Sequence, residues 1–154
     1  MLGNCKLERL PIFTFLIRNE ETGYYLHHNF VTALLNDLFG IQSRSGCACA
    51  GPYGQYLLGI SDELYDDLIQ ILYTHDDFKT EGRINCTSND LEIFKPGFTR
   101  FSLAFFFDDA KVDFILNAIK FVAKYGWKFL PSYDFDIATG EWKHKNLQVC
   151  ILSS

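Results

Sequence analysis

No apolar run in this 154-residue chain approaches the roughly 18 residues of a membrane-spanning helix, which predicts a chain with no membrane span. The opening Met1-Leu2-Gly3-Asn4-Cys5 lacks the basic stretch and apolar core of a signal peptide. Clusters of basic residues are absent too. The 14 Lys and Arg are outnumbered by 19 Asp and Glu, for a net charge of −5, so neither a global field nor a local patch favours nucleic acid. The five cysteines are an odd number without paired, regular spacing, which argues against a disulfide framework and for a reducing compartment such as the cytoplasm. No internal repeat or low-complexity segment is visible. What is present is globular: 48% hydrophobic and 21% charged residues, enough for one domain with a core. That core is rich in rings, with 15 Phe and 8 Tyr.

The apolar pattern predicts an α+β layer, a small sheet covered by helices. Leu10 to Ile17 is a β-branched and aromatic run closed by the polar Arg18-Asn19-Glu20-Glu21-Thr22-Gly23, a buried strand followed by a turn. Phe30, Val31, Leu34, Leu35 and Leu38 then share one helical face, with Asn29 as N-cap and Gly40 past the end. Ile41-Gln42-Ser43 leads as a short extended piece into a Gly-rich loop, Arg44 to Tyr53. Ser61-Asp62-Glu63 opens a second helix carrying Leu64, Leu68, Ile71 and Leu72 on its apolar side. His75 to Glu92 is polar and irregular. Phe98 to Phe107 reads as a central strand, and Asp108-Asp109 caps a third helix with the face Val112, Ile115, Leu116, Ile119 and Val122, stopped at Gly126-Trp127. Beyond it, Ala138-Thr139-Gly140 is a turn signal and Val149 to Leu152 a short apolar run.

Two segments carry chemistry. In the Gly-rich loop, Cys49 sits among small neighbours and near Arg44, a setting in which a thiol is accessible and its thiolate favoured. A free Cys is as readily a small buried hydrophobe, and the same alternatives hold for Cys47. Arg100 stands in the middle of an apolar strand, where a charge requires a partner. Its planar fork suits either bidentate capture of a carboxylate or an internal ion pair. Cys47 and Cys49 with Cys86 and His27 or His28 would be a zinc set, but the second closely spaced ligand pair of a structural zinc site is missing. His27-His28 reads as a partly exposed turn, and His144-Lys145 as a solvated surface.

Taken together, Gly40-Ile41-Gln42-x-Arg44-x-Gly46-x-x-Cys49-Ala50-x-Pro52 and Pro96-Gly97-x-x-Arg100-x-Ser102-Leu103-Ala104 resemble the class V aminotransferase family. This is the fold-type I pyridoxal-phosphate group that includes cysteine desulfurases and selenocysteine lyases. The likeness covers most of residues 2–127. It implies an incomplete small C-terminal domain over residues 1–130, followed by an extension at 131–154. By the same resemblance, Arg100 would bind the substrate carboxylate, Arg44 would lie in the same pocket, and Cys49 would match the desulfurase nucleophile. Cys47-Ala48 replaces the His-His pair of those enzymes, and 51 positions separate Cys49 from Arg100, a much longer interval than theirs. Pyridoxal phosphate and its Schiff-base Lys would belong to a large domain that no segment here resembles. The expectation is therefore a fragment, inactive alone, of an enzyme that acts on a small amino acid and forms a homodimer when whole. A non-catalytic interaction module that kept the fold is the alternative.

Overall fold

The computed structural model describes residues 1–4, 6–46, 51–74 and 89–146. Cys47, Cys49, Cys86, the stretch from His75 to Ser88 and the apolar run Val149–Leu152 lie outside the described residues. The architecture is α+β. Among the described residues there are four α-helices and two small antiparallel sheets of two strands each. No described helix is long and apolar enough to cross a membrane.

The first sheet pairs β1 (Ile12–Phe15) with β2 (Thr99–Ser102), Phe13 opposite Phe101 and Thr14 opposite Arg100. Strand alternation turns Phe13, Phe15, Thr99 and Phe101 to one face and Ile12, Thr14, Arg100 and Ser102 to the other. The first face is the core face. Phe15 and Phe101 are buried there with Phe30, Val31, Leu34 and Leu35 of α1 (His28–Phe39), and with Ala118 and Val122 of α4 (Asp109–Tyr125). The second sheet, β3 (Tyr133–Phe135) with β4 (Trp142–His144), covers the same core from beyond residue 130. Its Tyr133 is buried and donates a hydrogen bond to Asp37 Oδ2 at 2.8 Å, pinning the hairpin to α1. Burial and this carboxylate together push the Tyr133 phenol well above its usual range.

The helix ends follow local chemistry. Gly40 closes α1 in the left-handed conformation at φ +66°, and its N–H reaches back to the last carbonyls. Ser61 Oγ accepts from Leu64 N at the start of α3 (Asp62–Thr74). Asp108 caps α4 by accepting from Lys111 N at 2.9 Å. Short turns of 3₁₀ helix at Asn89–Phe94 and Gly126–Ser132 flank β2 and α4.

Five expectations are corrected. The Gly-rich loop is helical from Gly51, forming α2 (Gly51–Leu58) with Pro52 at its first turn, where a missing N–H costs nothing. The run Phe98–Phe107 is a strand only over four residues, because the chain turns after Ala104 to reach the Asp108 cap and leaves Phe105 97% exposed. Helix α1 begins two residues earlier than Asn29 suggests, since His27 is the N-cap, its Nδ1 accepting from Asn29 N. Leu64 and Leu116, assigned to buried helix faces, are exposed. His27-His28, read as a partly exposed turn, is instead the start of α1, where His27 is half-buried as the N-cap and His28 is buried.

Candidate functional site

Arg44 and Arg100 are brought into direct opposition. Arg44 N donates to Arg100 O at 2.8 Å and Arg100 N to Arg44 O at 2.7 Å, an antiparallel bridge on the free edge of β2. Phe98 N also donates to Gly46 O at 3.2 Å, so residues 44–46 run beside 98–100. Residues that exchange both backbone bonds project their side chains to the same face. Thr14, Arg100 and Arg44 therefore form a row across the side of the sheet turned away from the core. β2 thus pairs with β1 on one side and is bridged to the Arg44 segment on the other, within a sheet of two strands.

Arg100 is half-buried and Arg44 exposed. Neither makes an ion pair among the described residues, where the three ion pairs are Lys95–Glu92, Lys143–Glu141 and Lys145–Asp134. The internal ion pair that would explain Arg100 structurally is therefore missing among them. Two guanidinium groups rooted on adjacent strands repel each other, and an anion between them removes that repulsion. Their forks match the two oxygens of a carboxylate. Cys49 follows Gly46 by three positions and lies outside the described residues.

The strand that carries Arg100 is tied to α1 through His28. Asn29 Nδ2 donates to Gly140 O at 2.7 Å, which turns Asn29 Oδ1 toward His28 Nδ1 at 2.8 Å. His28 Nε2 faces Lys95 O at 3.2 Å, and Thr99 Oγ1 donates to His28 O at 3.3 Å. The start of α1 is thereby tied to the start of β2. Gly97 lies between, against the His28 ring and the Gly46 backbone. On the outer side, the buried Phe98 ring lies under α2, where a Cβ on Gly54 would meet it at 3.9 Å. These supports are not readable from residue type, because most join segments far apart in the chain, 71 positions for His28 and Thr99 and 111 for Asn29 and Gly140.

His27 has a distinct consequence. Its Nδ1 accepts from Asn29 N and its Nε2–H donates to Ile93 O at 3.0 Å, so the neutral ring serves both bonds. Burial first, and then the neighbouring His28, lower its pKa from 6.5 to about 4. Between these values the unfolded chain binds a proton that the folded chain refuses. Stability is full above pH 6.5, falls as the pH drops, and the loss is complete near pH 4. A fully desolvated ring would lose about 3 kcal/mol, and solvent screening of this half-buried one reduces that to about 2 kcal/mol. Urea unfolding at pH 7 and pH 4.5 is expected to show this slope. His27→Asn keeps an N-cap without a titrating ring and is expected to flatten it; an unchanged slope would assign the effect elsewhere.

The described lysines do not form a pyridoxal-phosphate site. A Schiff-base Lys must be desolvated enough to lose its proton. Three of the lysines here are ion-paired, Lys124 and Lys128 lie over aromatic rings, and Lys6, Lys111 and Lys120 are exposed. Among the described residues no group of three or more His, Cys, Asp or Glu is placed to hold a metal ion. No family model matches the chain, and no curated protein or solved structure matches it at significant similarity.

Proposed function

We propose that this chain supplies the carboxylate-binding wall of a pyridoxal-phosphate enzyme of the class V aminotransferase type, with Arg100 as the principal ligand and Arg44 beside it. The observation that carries this reading is the backbone bridge that sets the two arginines side by side on one sheet face, without a described carboxylate between them. In this reading the half-buried Arg100 fixes the carboxylate of a small amino acid through its fork. The exposed Arg44 closes over the same group, and Cys49 would supply the thiol. The cofactor and its lysine belong to a separate large domain, since the lysines described here do not fit it. Phe105 and Phe106, 97% and 68% exposed, suit a chain that packs against such a domain in a homodimeric enzyme.

The test is a titration of the purified chain with L-cysteine and with acetate, followed through the arginine side-chain N–H resonances. Saturable shifts at Arg44 and Arg100 are expected, with a dissociation constant on the order of 1–10 mM for so small a ligand. Arg100→Gln should abolish them, and Arg100→Lys, which lacks the fork, should weaken binding about tenfold. The chain incubated with pyridoxal phosphate should show no internal-aldimine absorbance. Shifts of equal size with chloride, or an aldimine band, would overturn the reading.

A further inference from the structure

A second cationic surface lies away from the arginine row, in a cleft of about 520 Å³ between the turn after β1 and the end of α4. Four cations line it: Arg18 from the turn, and Lys120, Lys124 and Lys128 from the helix and the 3₁₀ turn that continues it. Glu20 and Glu21 also line it, but none of these six charged groups is in an ion pair with a described residue. The cleft thus carries an excess of two positive charges (four cations less two carboxylates) in a chain whose net charge is −5.

The arrangement concentrates like charge that an anion would neutralise. Lysines four apart on successive turns repel one another. Here two of the ammonium groups gather on one ring: Lys124 Nζ is 5.2 Å and Lys128 Nζ 5.6 Å from the centre of Tyr125, and Lys128 Nζ is also 5.5 Å from the centre of Trp127. The helix dipole accounts for Lys124 in the last turn of α4. It does not account for Lys120, or for Arg18 on the opposite wall. Arg18 is moreover preset. Its Nε–H donates to Gly23 O at 2.9 Å, and Gly23, at φ +75°, leaves room for the guanidinium where a Cβ would meet Nη2 at 3.2 Å. The N–H groups of its outer fork remain for a ligand.

We propose that this cleft binds a small molecule bearing two or more phosphate groups. Polyphosphate oxygens can engage several ammonium groups and a fork at once, whereas a single carboxylate would be satisfied by Arg18 alone. The Trp127 and Tyr125 rings provide an apolar wall for an organic portion.

The test uses the Arg44→Gln/Arg100→Gln chain, so that the sheet-face arginines do not contribute, and titrates it with pyrophosphate and with ADP. The Trp127 indole N–H and Arg18 Nε–H resonances report binding. Saturable shifts with a dissociation constant on the order of 0.1–1 mM at low salt are expected, weakening as salt is raised. Tighter binding of ADP would identify an organic phosphate, and the reverse order inorganic pyrophosphate. Lys124→Ala/Lys128→Ala should weaken binding at least tenfold, while Lys111→Ala, on the same helix but outside the cleft, should leave it unchanged. The absence of saturable shifts at 5 mM (about five times the weakest expected constant), or equal weakening by Lys111→Ala, would overturn the proposal. Because the sheet-face site is disabled throughout, failure here leaves the carboxylate reading untouched.

Discussion

Phe30→Ala is expected to remove about 4 kcal/mol of stability, the largest loss of any side-chain truncation among the described residues. Phe30 is 0% exposed at the point where α1 meets the second sheet. Its ring stands edge-on to Tyr133 at 5.3 Å and tilted against Trp142 at 4.8 Å, so truncation empties a space bounded by two large rings that cannot move inward. Lost transfer energy and the residual cavity account for about 3–5 kcal/mol in such sites, part of it from ring pairs worth about 0.5–1.5 kcal/mol each. Against a total of about 5–15 kcal/mol for a domain, this is a large share. It should lower the melting temperature by about 10 °C. Phe30→Leu keeps most of the volume and should lose much less. Urea unfolding of both variants measures the difference; a loss under about 1 kcal/mol for Phe30→Ala would mean that the hairpin does not pack on α1. Because Tyr133 also holds Asp37, the hairpin is expected to loosen first.

Parts of this architecture were legible because they are set by neighbours in sequence. The caps at Ser61, Gly40 and Asp108 rest on bonds spanning a few residues, and each lies where the sequence places it. The turn at Ala138-Thr139-Gly140 is likewise local, with Gly140 at φ +66°. Helix α2 is hidden in the sequence because its glycines mask the signal that Pro52 gives as a first-turn residue. The apolar run from Phe98 outlasts its strand because an exposed Phe105 is indistinguishable by type from a buried one. Arg100 stood out as a charge in an apolar strand, but its pairing with Arg44 is a matter of register between segments 56 positions apart, which no periodicity encodes. The lysine cleft is the converse case. Lys120, Lys124 and Lys128 recur every four residues, but only the fold of α4 and the 3₁₀ turn after it sets them opposite Arg18.

Gly97→Ala is expected to cost about 3 kcal/mol or more and to disturb the arginine row with it. Gly97 has no left-handed backbone to excuse it; the constraint is space. A Cβ there would stand 2.6 Å from His28 Nε2, 2.8 Å from His28 Cδ2 and 2.8 Å from the carbonyl carbon of Gly46. The His28 ring cannot rotate away cheaply, because Asn29 and the Lys95 carbonyl hold its two nitrogens. The Gly46 backbone cannot retreat without lengthening its bond from Phe98 N, which stands two residues from the Arg44–Arg100 bridge. Gly126→Ala is the informative contrast. Its Cβ would meet only the tips of Leu26, Val122 and Leu34 at 3.1–3.3 Å, side chains that can yield by a few tenths of an ångström. Alanine at Gly126 should therefore cost about 1 kcal/mol or less, helix propensity offsetting part of the crowding. If Gly97→Ala is the more costly of the two and also weakens acetate binding at Arg100, the junction of α1 and β2 positions the guanidinium pair. If Gly97→Ala is tolerated with binding intact, the close approach of β2 to residues 44–46 is wrong, and the bridge that sets the two arginines together is wrong with it.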